Sequence, residues 1–424
     1  MSLKIGFISF RISGTDGVSL ETKKWADVLE RMGAECFYMA GQLDTPKERS
    51  FVAEEAHFQT QDAKALYYRC FYQSVRDPET TRMIHERRAV LKKRLYQFVE
   101  KFDLDLLIPQ NILAIPLNIP LALAFTEFVA ETGFKVIAHH HDFFWERKRF
   151  LHNCVWDYLN SAYPPHLASI HHVVINSSAQ NQLGLRTGIS STLIPNVMEF
   201  EKPPEPVDEY AKDVREALGV RDDELFILQP TRVVQRKGIE HAIEFVARLG
   251  MPAKLVISHA SGDEGHEYEQ RVRDYAKLLG VDAIFGSDII GETRGRTPDG
   301  RKIYSLSDIY PHANLVTYPS IFEGFGNAFL EAIYFKKPIL INNYSIYSHD
   351  IRPKGFKCLE MDEFISGDTI DTARELLARP DIQEEWAETN YKLARQFYSY
   401  TVLRTKLTAI LVSQFGYTDL SLCQ

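Results

Sequence analysis

Short apolar runs alternate with amphipathic helical patterns along this chain, and the alternation begins again after about residue 200. The strand-like runs of the first half are Lys4–Phe10, Leu106–Pro109, Lys135–Ala138 and His172–Asn176. Those of the second half are Phe226–Gln229, Ala253–Ser258, Leu315–Tyr318 and Pro338–Ile341. Alternation of this kind is typical of a parallel sheet that helices cover on both faces. The predicted fold class is therefore α/β, with two such sheets.

A segment rich in proline and charge, Glu199–Val207, separates the two sets of strands. Proline biases the residue before it towards extended backbone, so the segment is expected to be an interdomain linker. Two doubly wound domains that face a central cleft follow from this division. Ligands of such sheets bind outside the carboxyl ends of the strands.

Composition narrows the function classes. The net charge of −8 argues against a nucleic-acid partner, since such proteins are usually basic. The five cysteines are far apart and form no CxxC pair, which indicates a reducing cytoplasmic setting and neither a disulfide framework nor a zinc site. The longest apolar stretch, Ile112–Phe125, contains two prolines and is too short to cross a bilayer.

One helical pattern carries a run of cations, and it leaves two alternatives open. Its basic residues are Arg87, Arg88, Lys92, Lys93 and Arg94. Attachment to a membrane surface or to an anionic substrate is one interpretation, and a solvated helix face is the favoured one.

The motif with the strongest chemical implication is Ser320–Ala332, which follows the strand Leu315–Tyr318. It contains Glu323 in a turn, then Gly324 and Gly326, then Glu331 about two turns into the expected helix. Glycines let backbone N–H groups approach an anion at a helix N-terminus, while carboxylates accept hydrogen bonds from hydroxyl groups beside it. An anion flanked by hydroxyls describes a nucleotide sugar. A glycine turn followed by a salt-bridged helix is the alternative.

A basic loop, Pro230–Gly238, lies between the strand Phe226–Gln229 and a helix expected over Ile239–Leu249. Arg232 and Lys237 are suited to holding a diphosphate leaving group and to neutralising the charge that grows on it. Arg236 is expected to be the solvated member of the loop. A basic loop in solvent is the alternative reading.

Three consecutive histidines, His139–His141, follow the strand Lys135–Ala138 and precede Asp142. Consecutive strand residues point to alternate faces, so one strand does not aim all three at one metal ion. A single histidine at the strand tip that donates to a sugar is the preferred interpretation. No metal site is predicted.

The turn Gly14–Gly17 follows the first strand and is a candidate phosphate cradle, with Ser19 as the expected N-cap of the next helix. It is not a GxGxxG motif, and no GxxxxGK[ST] occurs in the chain. Classical dinucleotide and Walker-type phosphate sites are therefore disfavoured.

Taken together, these motifs resemble the retaining glycosyltransferases of family 4 (group 1), which have the GT-B fold. The resemblance covers nearly the whole chain and is sharpest at Arg232, Lys237, Glu323 and Glu331, which match the basic pair and the E-x₇-E motif of the family. It implies that Arg232 and Lys237 bind the donor diphosphate, that Glu323 contacts the transferred sugar and that Glu331 binds the ribose. Backbone donors are implied at Gly324, Phe325, Gly326 and Asn327.

In the first half, His141 looks like the active-site histidine of the family, which contacts the transferred sugar. Gly17 is then expected to meet donor phosphate, and Asp16 to lie on the side of the acceptor substrate. Arg147 and Arg149 directly follow the histidine segment, which predicts an acceptor that is small and anionic or carries a phosphate. A sugar, a glycerate-like molecule and another hydroxyl compound are all open as acceptors. Pairing of Arg147 with Glu146 or with other neighbours is the alternative interpretation. Pro195-Asn196-Val197 resembles the end of the first domain, with valine where the family has glycine.

The predicted domains are residues 1–198, on which the C-terminal segment 399–424 packs back, and residues 199–398, which bind the nucleotide sugar. The expected reaction is transfer of a hexose, glucose or mannose, from a nucleotide diphosphate sugar to a hydroxyl group with retention. Neither a cofactor nor a metal is expected. The alternatives are a nucleotide-sugar 2-epimerase of the same fold and a noncatalytic nucleotide-sugar-binding protein.

Overall fold

The computed structural model describes residues 2–14, 16–261 and 267–417. By the contacts within it, the chain divides into two compact units. Unit 1 comprises Met1–Val197 and Thr401–Gln424, and unit 2 comprises Met198–Tyr400. Among the described residues, no helix combines the length and the apolar character that crossing a membrane requires.

Unit 1 contains a seven-stranded parallel sheet with the order β3-β2-β1-β4-β5-β6-β7. Its strands are β1 Lys4–Ile8, β2 Glu35–Ala40, β3 Ser50–Val52, β4 Leu106–Pro109, β5 Val136–His140, β6 Ile170–Val174 and β7 Ser191–Leu193. Its helices are α1 Gly17–Arg31, α2 Gln61–Phe71, α3 Pro78–Phe102, α4 Ile119–Thr132, α5 Trp156–Ala162 and α6 Ser177–Thr187.

Unit 2 contains a six-stranded parallel sheet with the order β10-β9-β8-β14-β15-β16 and a small three-stranded sheet. The large sheet is built from β8 Leu225–Gln229, β9 Ala253–Ile257, β10 Ala283–Phe285, β14 Leu315–Tyr318, β15 Ile339–Asn342 and β16 Leu359–Met361. The small sheet is built from β11 Ile290–Gly291, β12 Gly295–Arg296 and β13 Lys302–Ser305.

The helices of unit 2 are α7 Val214–Ala217, α8 Ile239–Leu249, α9 Glu267–Leu278, α10 Leu306–Ile309, α11 Asn327–Tyr334, α12 Gly367–Ala378 and α13 Pro380–Tyr398. A last helix, α14 Tyr400–Phe415, returns the chain to unit 1. There its residues Leu403 and Leu407 are fully buried, and the carbonyl of Phe415 accepts a hydrogen bond from Lys135.

The prediction of two parallel sheets is confirmed, with strand limits that move by one or two residues. The most consequential shift is in β5, which extends through His139 and His140, so that His141 is the first residue beyond the strand. In each sheet the strand order reverses once: between β1 and β4 in unit 1, and between β8 and β14 in unit 2. The loops at these two reversals lie where ligands of doubly wound sheets bind.

Four of the five cations singled out on α3 pair with carboxylates, which favours the solvated-face interpretation. The ion pairs are Arg87–Asp62, Arg88–Glu127, Lys92–Glu131 and Arg94–Glu55. The opposite face of the helix is apolar and fully buried at Ile84, Leu91, Leu95 and Phe98. The helix therefore uses its apolar side for the core and balances its own charge at the surface.

Candidate active site

The basic loop of unit 2 leaves the end of β8 and is fixed to the neighbouring strand β14. Gln229 is fully buried, donates to the Thr231 hydroxyl at 2.7 Å and accepts from the Thr317 hydroxyl at 2.7 Å. Gly238 closes the loop at a φ of +57°, and a Cβ there would lie 2.6 Å from the Pro319 carbonyl oxygen. Only glycine lets the loop lie this close to the end of β14.

Lys237 and Glu323 form a buried ion pair where these two strands end. Burial lowers the pKa of Lys237 against the influence of the carboxylate. Burial alone would raise the pKa of Glu323, but the charges of Lys237 and Arg236 hold it below its ordinary value. The carboxylate therefore stays ionised between two cations.

The expectation that Arg236 is simply solvated is wrong. Its guanidinium donates to Glu323 Oε2 at 3.2 Å, although 39% of its side chain remains exposed. The reason is that the loop turns back towards β14, so that residues 236 and 237 both reach the same carboxylate.

Arg232 is exposed, and its guanidinium makes no hydrogen bond or ion pair with another residue that the structure describes. Its charge acts on His259, a residue at the end of β9 whose loop is tied to the basic loop by Val233 N–H donating to the Ala260 carbonyl at 3.3 Å. Burial lowers the pKa of His259, and the charges of Arg232 and Lys237 lower it further. The positive charges of Arg232 and Lys237 thus both act at the end of β9. Residues 262–265 of the segment Ser258–Gly265, which follows β9, lie outside the described residues.

The motif Ser320–Ala332 leads from β14 into α11 through Gly326, a position that only glycine can occupy. Gly326 has a φ of +128°, and a Cβ there would lie 2.6 Å from the Tyr344 hydroxyl, which donates to the Phe325 carbonyl. This conformation delays the helix, which begins at Asn327. Glu331 is consequently about one turn into the helix and not two. Its carboxylate accepts a hydrogen bond of 2.8 Å from the buried Tyr310 hydroxyl.

In unit 1, the N-cap of α1 is Asp16. The prediction that Ser19 caps this helix is wrong. The Asp16 carboxylate accepts from the backbone N–H groups of Val18 and Ser19, and the Ser19 hydroxyl donates to it at 2.6 Å. Asp16 caps because Gly17 already has helical geometry. The backbone N–H groups that a phosphate would use at this helix N-terminus, those of Val18 and Ser19, thus already donate to a carboxylate. This carboxylate belongs to the residue before Gly17, which is predicted to contact the donor substrate.

Of the three consecutive histidines, the first and third have one neighbour in common and the second has another, as their alternation along β5 predicts. His139 and His141 both reach the Gln110 side chain, at 2.9 and 3.1 Å, whereas His140 reaches His172 at 2.9 Å. Burial lowers the pKa of His141 to about 4, against the raising effect of Asp142 and Asp16. His141 is therefore neutral near pH 7. No group of three or more metal-ligating side chains occurs within residues 2–14, 16–261 and 267–417.

The turn after β5 is held by Asn111, which lies directly after Gln110 and has a φ of +63°. Its side chain accepts from the His141 N–H at 3.0 Å and donates to the Asp142 carboxylate at 2.8 Å. Asp142 also pairs with Arg147. Nearby, burial and the Asp142 charge raise the pKa of Glu146 to about 7.

Arg149 is exposed and lies over the ring of Phe150, 4.7 Å from its centre. Partial burial and the charge of Arg147 lower its pKa, whereas Tyr67, Asp142 and Tyr72 raise it. Among the described residues it has no carboxylate partner. It is thus a cation available to an anionic ligand, whereas Arg147 already has a partner.

Sequence reasoning missed Gln110, Asn111 and Tyr310, each of which contacts a predicted site residue. Gln110 and Asn111 are a polar pair at the carboxyl end of a buried strand. The rule that ligands bind at such ends was therefore the signal that could have found them.

Comparisons with known proteins identify the family of the chain. Residues 211–393 match the family model described as glycosyl transferases group 1. The chain is similar to a mannosylglucosylglycerate synthase of Petrotoga mobilis, with 33% identity over 85% of this chain and 86% of the relative. It is also similar to a mannosylglucosylglycerate synthase of Thermotoga maritima, with 31% identity over 94% of this chain and 97% of the relative.

Among solved structures, the chain is similar in fold to a glycosyltransferase from Rickettsia africae. The TM-score is 0.70 at 14% identity, over 98% of this chain and 100% of the other. The extent of the sequence matches shows that the chain belongs to the group 1 (family 4) glycosyltransferases, hexosyltransferases with the GT-B fold.

Proposed function

We propose that this enzyme transfers a mannosyl group, with retention, from a nucleoside diphosphate sugar to the glucosyl unit of a glucosylglycerate-type acceptor. The two relatives above are named for a product that contains mannose, glucose and glycerate. The observation that carries the proposal is the buried Lys237–Glu323 pair at the strand-order reversal of unit 2. It sets a cation and a carboxylate side by side where a diphosphate and a sugar hydroxyl would meet.

The donor diphosphate is held by Arg232, Lys237 and the backbone N–H groups of Gly324–Asn327. Arg232 supports this role because its guanidinium is exposed and has no partner among the described residues. The cations and the N-terminus of α11 stabilise the charge that develops on the leaving diphosphate. Since these groups already neutralise the diphosphate, the mechanism needs no metal ion. Glu331 binds the ribose hydroxyls from its position beside Tyr310.

Glu323 positions the transferred sugar by accepting from its hydroxyl groups. It is a poor nucleophile because its charge is shared with Lys237 and Arg236. The attacking hydroxyl therefore approaches on the face that the diphosphate leaves, and its proton passes to a phosphate oxygen as the new glycosidic bond forms. This same-face exchange retains the configuration of the anomeric carbon. His141 contacts the transferred sugar from unit 1.

The carboxylate of the acceptor substrate binds Arg149. Arg147 is engaged with Asp142, so Arg149 is the cation of this segment that a carboxylate meets without displacing a partner. Bidentate pairing with guanidinium suits a planar carboxylate. Asp16, at the N-terminus of α1, accepts from hydroxyl groups of the same substrate.

The test is a panel of mannose and glucose donors linked to GDP, UDP or ADP. Each donor is incubated with glucosylglycerate, glycerate, glucosyl-3-phosphoglycerate or no acceptor. We expect a mannosylated disaccharide of glycerate, identified by mass spectrometry, and NMR should show the donor's anomeric configuration in the product. An epimerised donor in the acceptor-free reaction, or no product with any pair, would overturn the proposal.

The acceptor site is tested separately with Arg149→Glu and the matched control Lys148→Glu. Lys148 is the exposed neighbour of Arg149 and has no assigned role. Arg149→Glu should raise the acceptor KM at least about tenfold while the donor KM stays within about twofold, since it replaces a charge-assisted contact with repulsion. Equal acceptor KM values for the two variants would remove Arg149 from the site.

A further inference from the structure

Gln110 lies at the strand-order reversal of unit 1 with a side chain that has no exposed surface. The end of its carboxamide that is assigned as Oε1 lies 2.9 Å from His139 Nδ1 and 3.1 Å from His141 Nε2. The other end is buried and has no hydrogen-bond partner among the described residues, and the same is true of His139 Nε2. The polarity of this network decides what His141 offers to a substrate.

The two ends of a carboxamide have the same shape and are distinguished by the hydrogen bonds that they make. If the oxygen faces the histidines, both imidazoles donate to it. The buried NH₂ group then has two hydrogens without acceptors, and His139 Nε2 has an unused lone pair. If the NH₂ group faces the histidines, it donates one hydrogen to each ring. The buried end is then an oxygen, and the one remaining unpaired donor is the N–H at His139 Nε2.

The second arrangement leaves one buried donor hydrogen unpaired where the first leaves two, and a buried carbonyl oxygen without a partner is less costly than a buried NH₂ group. The histidines do not move away to relieve the first arrangement. His139 is stacked on Trp25 with ring centres 4.1 Å apart, and the backbone of His141 is fixed by Asn111.

We infer that Gln110 donates to both His139 and His141 and thereby holds His141 in the tautomer that carries its proton on Nδ1. His141 Nδ1 has no partner among the described residues, so this N–H is the donor that His141 presents to a hydroxyl of the transferred sugar. Gln110 is therefore a positioning residue. The inference rests on the proposed function, in which His141 contacts that sugar.

The tautomer is measured directly in the ligand-free wild-type enzyme, labelled with ¹⁵N in its histidine rings, by long-range ¹H–¹⁵N NMR at pH 7. The His141 signals are those that disappear in His141→Asn. We expect Nδ1 to be the protonated nitrogen. Protonation at Nε2 would overturn the inference, whatever the enzyme transfers and whether or not any Gln110 variant folds.

Kinetics test the consequence with Gln110→Glu, whose carboxylate only accepts hydrogen bonds and therefore reverses the network. We expect kcat/KM to fall about tenfold or more. The acid limb of its pH profile should also move to higher pH, because a carboxylate raises the pKa of His141. The matched control Gln59→Glu adds the same charge at an exposed loop position and should behave as wild type.

Donors that lack one sugar hydroxyl separate the inference from the proposed function. The deoxy donor that slows the wild type most should slow Gln110→Glu and His141→Ala little, because the contact is already lost. If only His141→Ala loses this discrimination, Gln110 does not set the tautomer. If His141→Ala keeps it, the proposed contact between His141 and the sugar is wrong.

Discussion

At the scale of single side chains, the proposed function divides binding from chemistry among four residues of unit 2. In it, Arg232 and Lys237 face charge that grows as the glycosidic bond breaks, so their stabilisation is larger in the transition state than in the ground state. Glu331 is proposed to hold the ribose, which does not change during the reaction. Two cations keep Glu323 ionised, and this carboxylate is proposed to orient the sugar.

Lys237→Ala should lower kcat by about 10²–10³, the usual cost of removing one donor from a developing charge. Glu331→Ala should instead raise the donor KM and leave kcat much less changed. Lys254→Ala is the control. Lys254 lies on β9 of the same sheet and pairs with Asp282. Circular dichroism must show all three variants folded. A Lys237→Ala enzyme with full kcat would remove this residue from the diphosphate site.

Glu146 makes the stability of unit 1 depend on pH. Its pKa in the folded protein is about 7, above the ordinary value of 4.5, because of burial and the charge of Asp142. Between these two values the folded state binds more protons than the unfolded state, so this carboxyl makes unit 1 less stable as pH rises.

Glu146→Gln should therefore stabilise unit 1 at pH 8 by about 1–3 kcal/mol and change little at pH 5, where the wild-type carboxyl is protonated when folded. Urea unfolding at both pH values measures this. An equal effect at the two pH values would mean that Glu146 ionises as an exposed glutamate does.

At the scale of elements, a buried ion pair attaches α1 to Val197, the last residue of the first segment of unit 1. Glu21 is fully buried, and burial raises its pKa although Lys24 and the Val197 N–H oppose this. Lys24 Nζ donates to Glu21 at 2.6 Å and to the Val197 carbonyl at 2.6 Å. The valine that stands where the family has glycine is thus held through its backbone.

Lys24→Ala should cost about 3–5 kcal/mol at pH 8, because it leaves a carboxylate buried without its cation. The loss should be smaller at pH 5, where Glu21 is more readily protonated. Lys23→Ala is the matched control: its pair with Asp44 is 43% and 40% exposed, and such pairs contribute about 0–1 kcal/mol. If the two variants are equally stable in urea unfolding, Lys24 does not stabilise the attachment of α1 to Val197.

Elements were predictable where the local signals were complete. The helix expected over Ile239–Leu249 has those limits because Gly238 precedes it and Gly250 ends it, both with positive φ. Glu331 was placed a turn too deep because the sequence does not reveal that Gly326 has a φ of +128° and delays α11. Gln110 was not predicted as a site residue because its contacts depend on the pairing of β4 with β5. The residue pattern near Gln110 does not reveal this pairing.

At the scale of the whole molecule, the residues proposed to bind the two substrates are unequally divided between the units. Apart from Gly17 and His141, every residue proposed to bind the donor belongs to Met198–Tyr400, while Asp16 and Arg149 belong to unit 1. A nucleoside diphosphate should therefore stabilise unit 2 selectively, by about 2.7 kcal/mol at a concentration of 100 Kd.

Hydrogen exchange with mass spectrometry should show protection by nucleoside diphosphate at residues 229–240 and 320–334. Glucosylglycerate should protect residues 142–150. The helix α9, residues 267–278, to which no ligand contact is assigned, serves as the internal control. Protection by the nucleotide confined to residues 2–197 would contradict the assignment of the donor to unit 2.

The return of α14 to unit 1 has a consequence for biosynthesis. Residues 198–400 form an uninterrupted unit, whereas the core of unit 1 includes Leu403, Leu407, Ile410 and Leu411. A ribosome makes residues 2–197 first, yet that portion waits for about two hundred further residues before its last buried leucines exist. Unit 2 is thus the part that completes its core first on the ribosome, and unit 1 spends that interval without the helix that supplies its last buried apolar side chains.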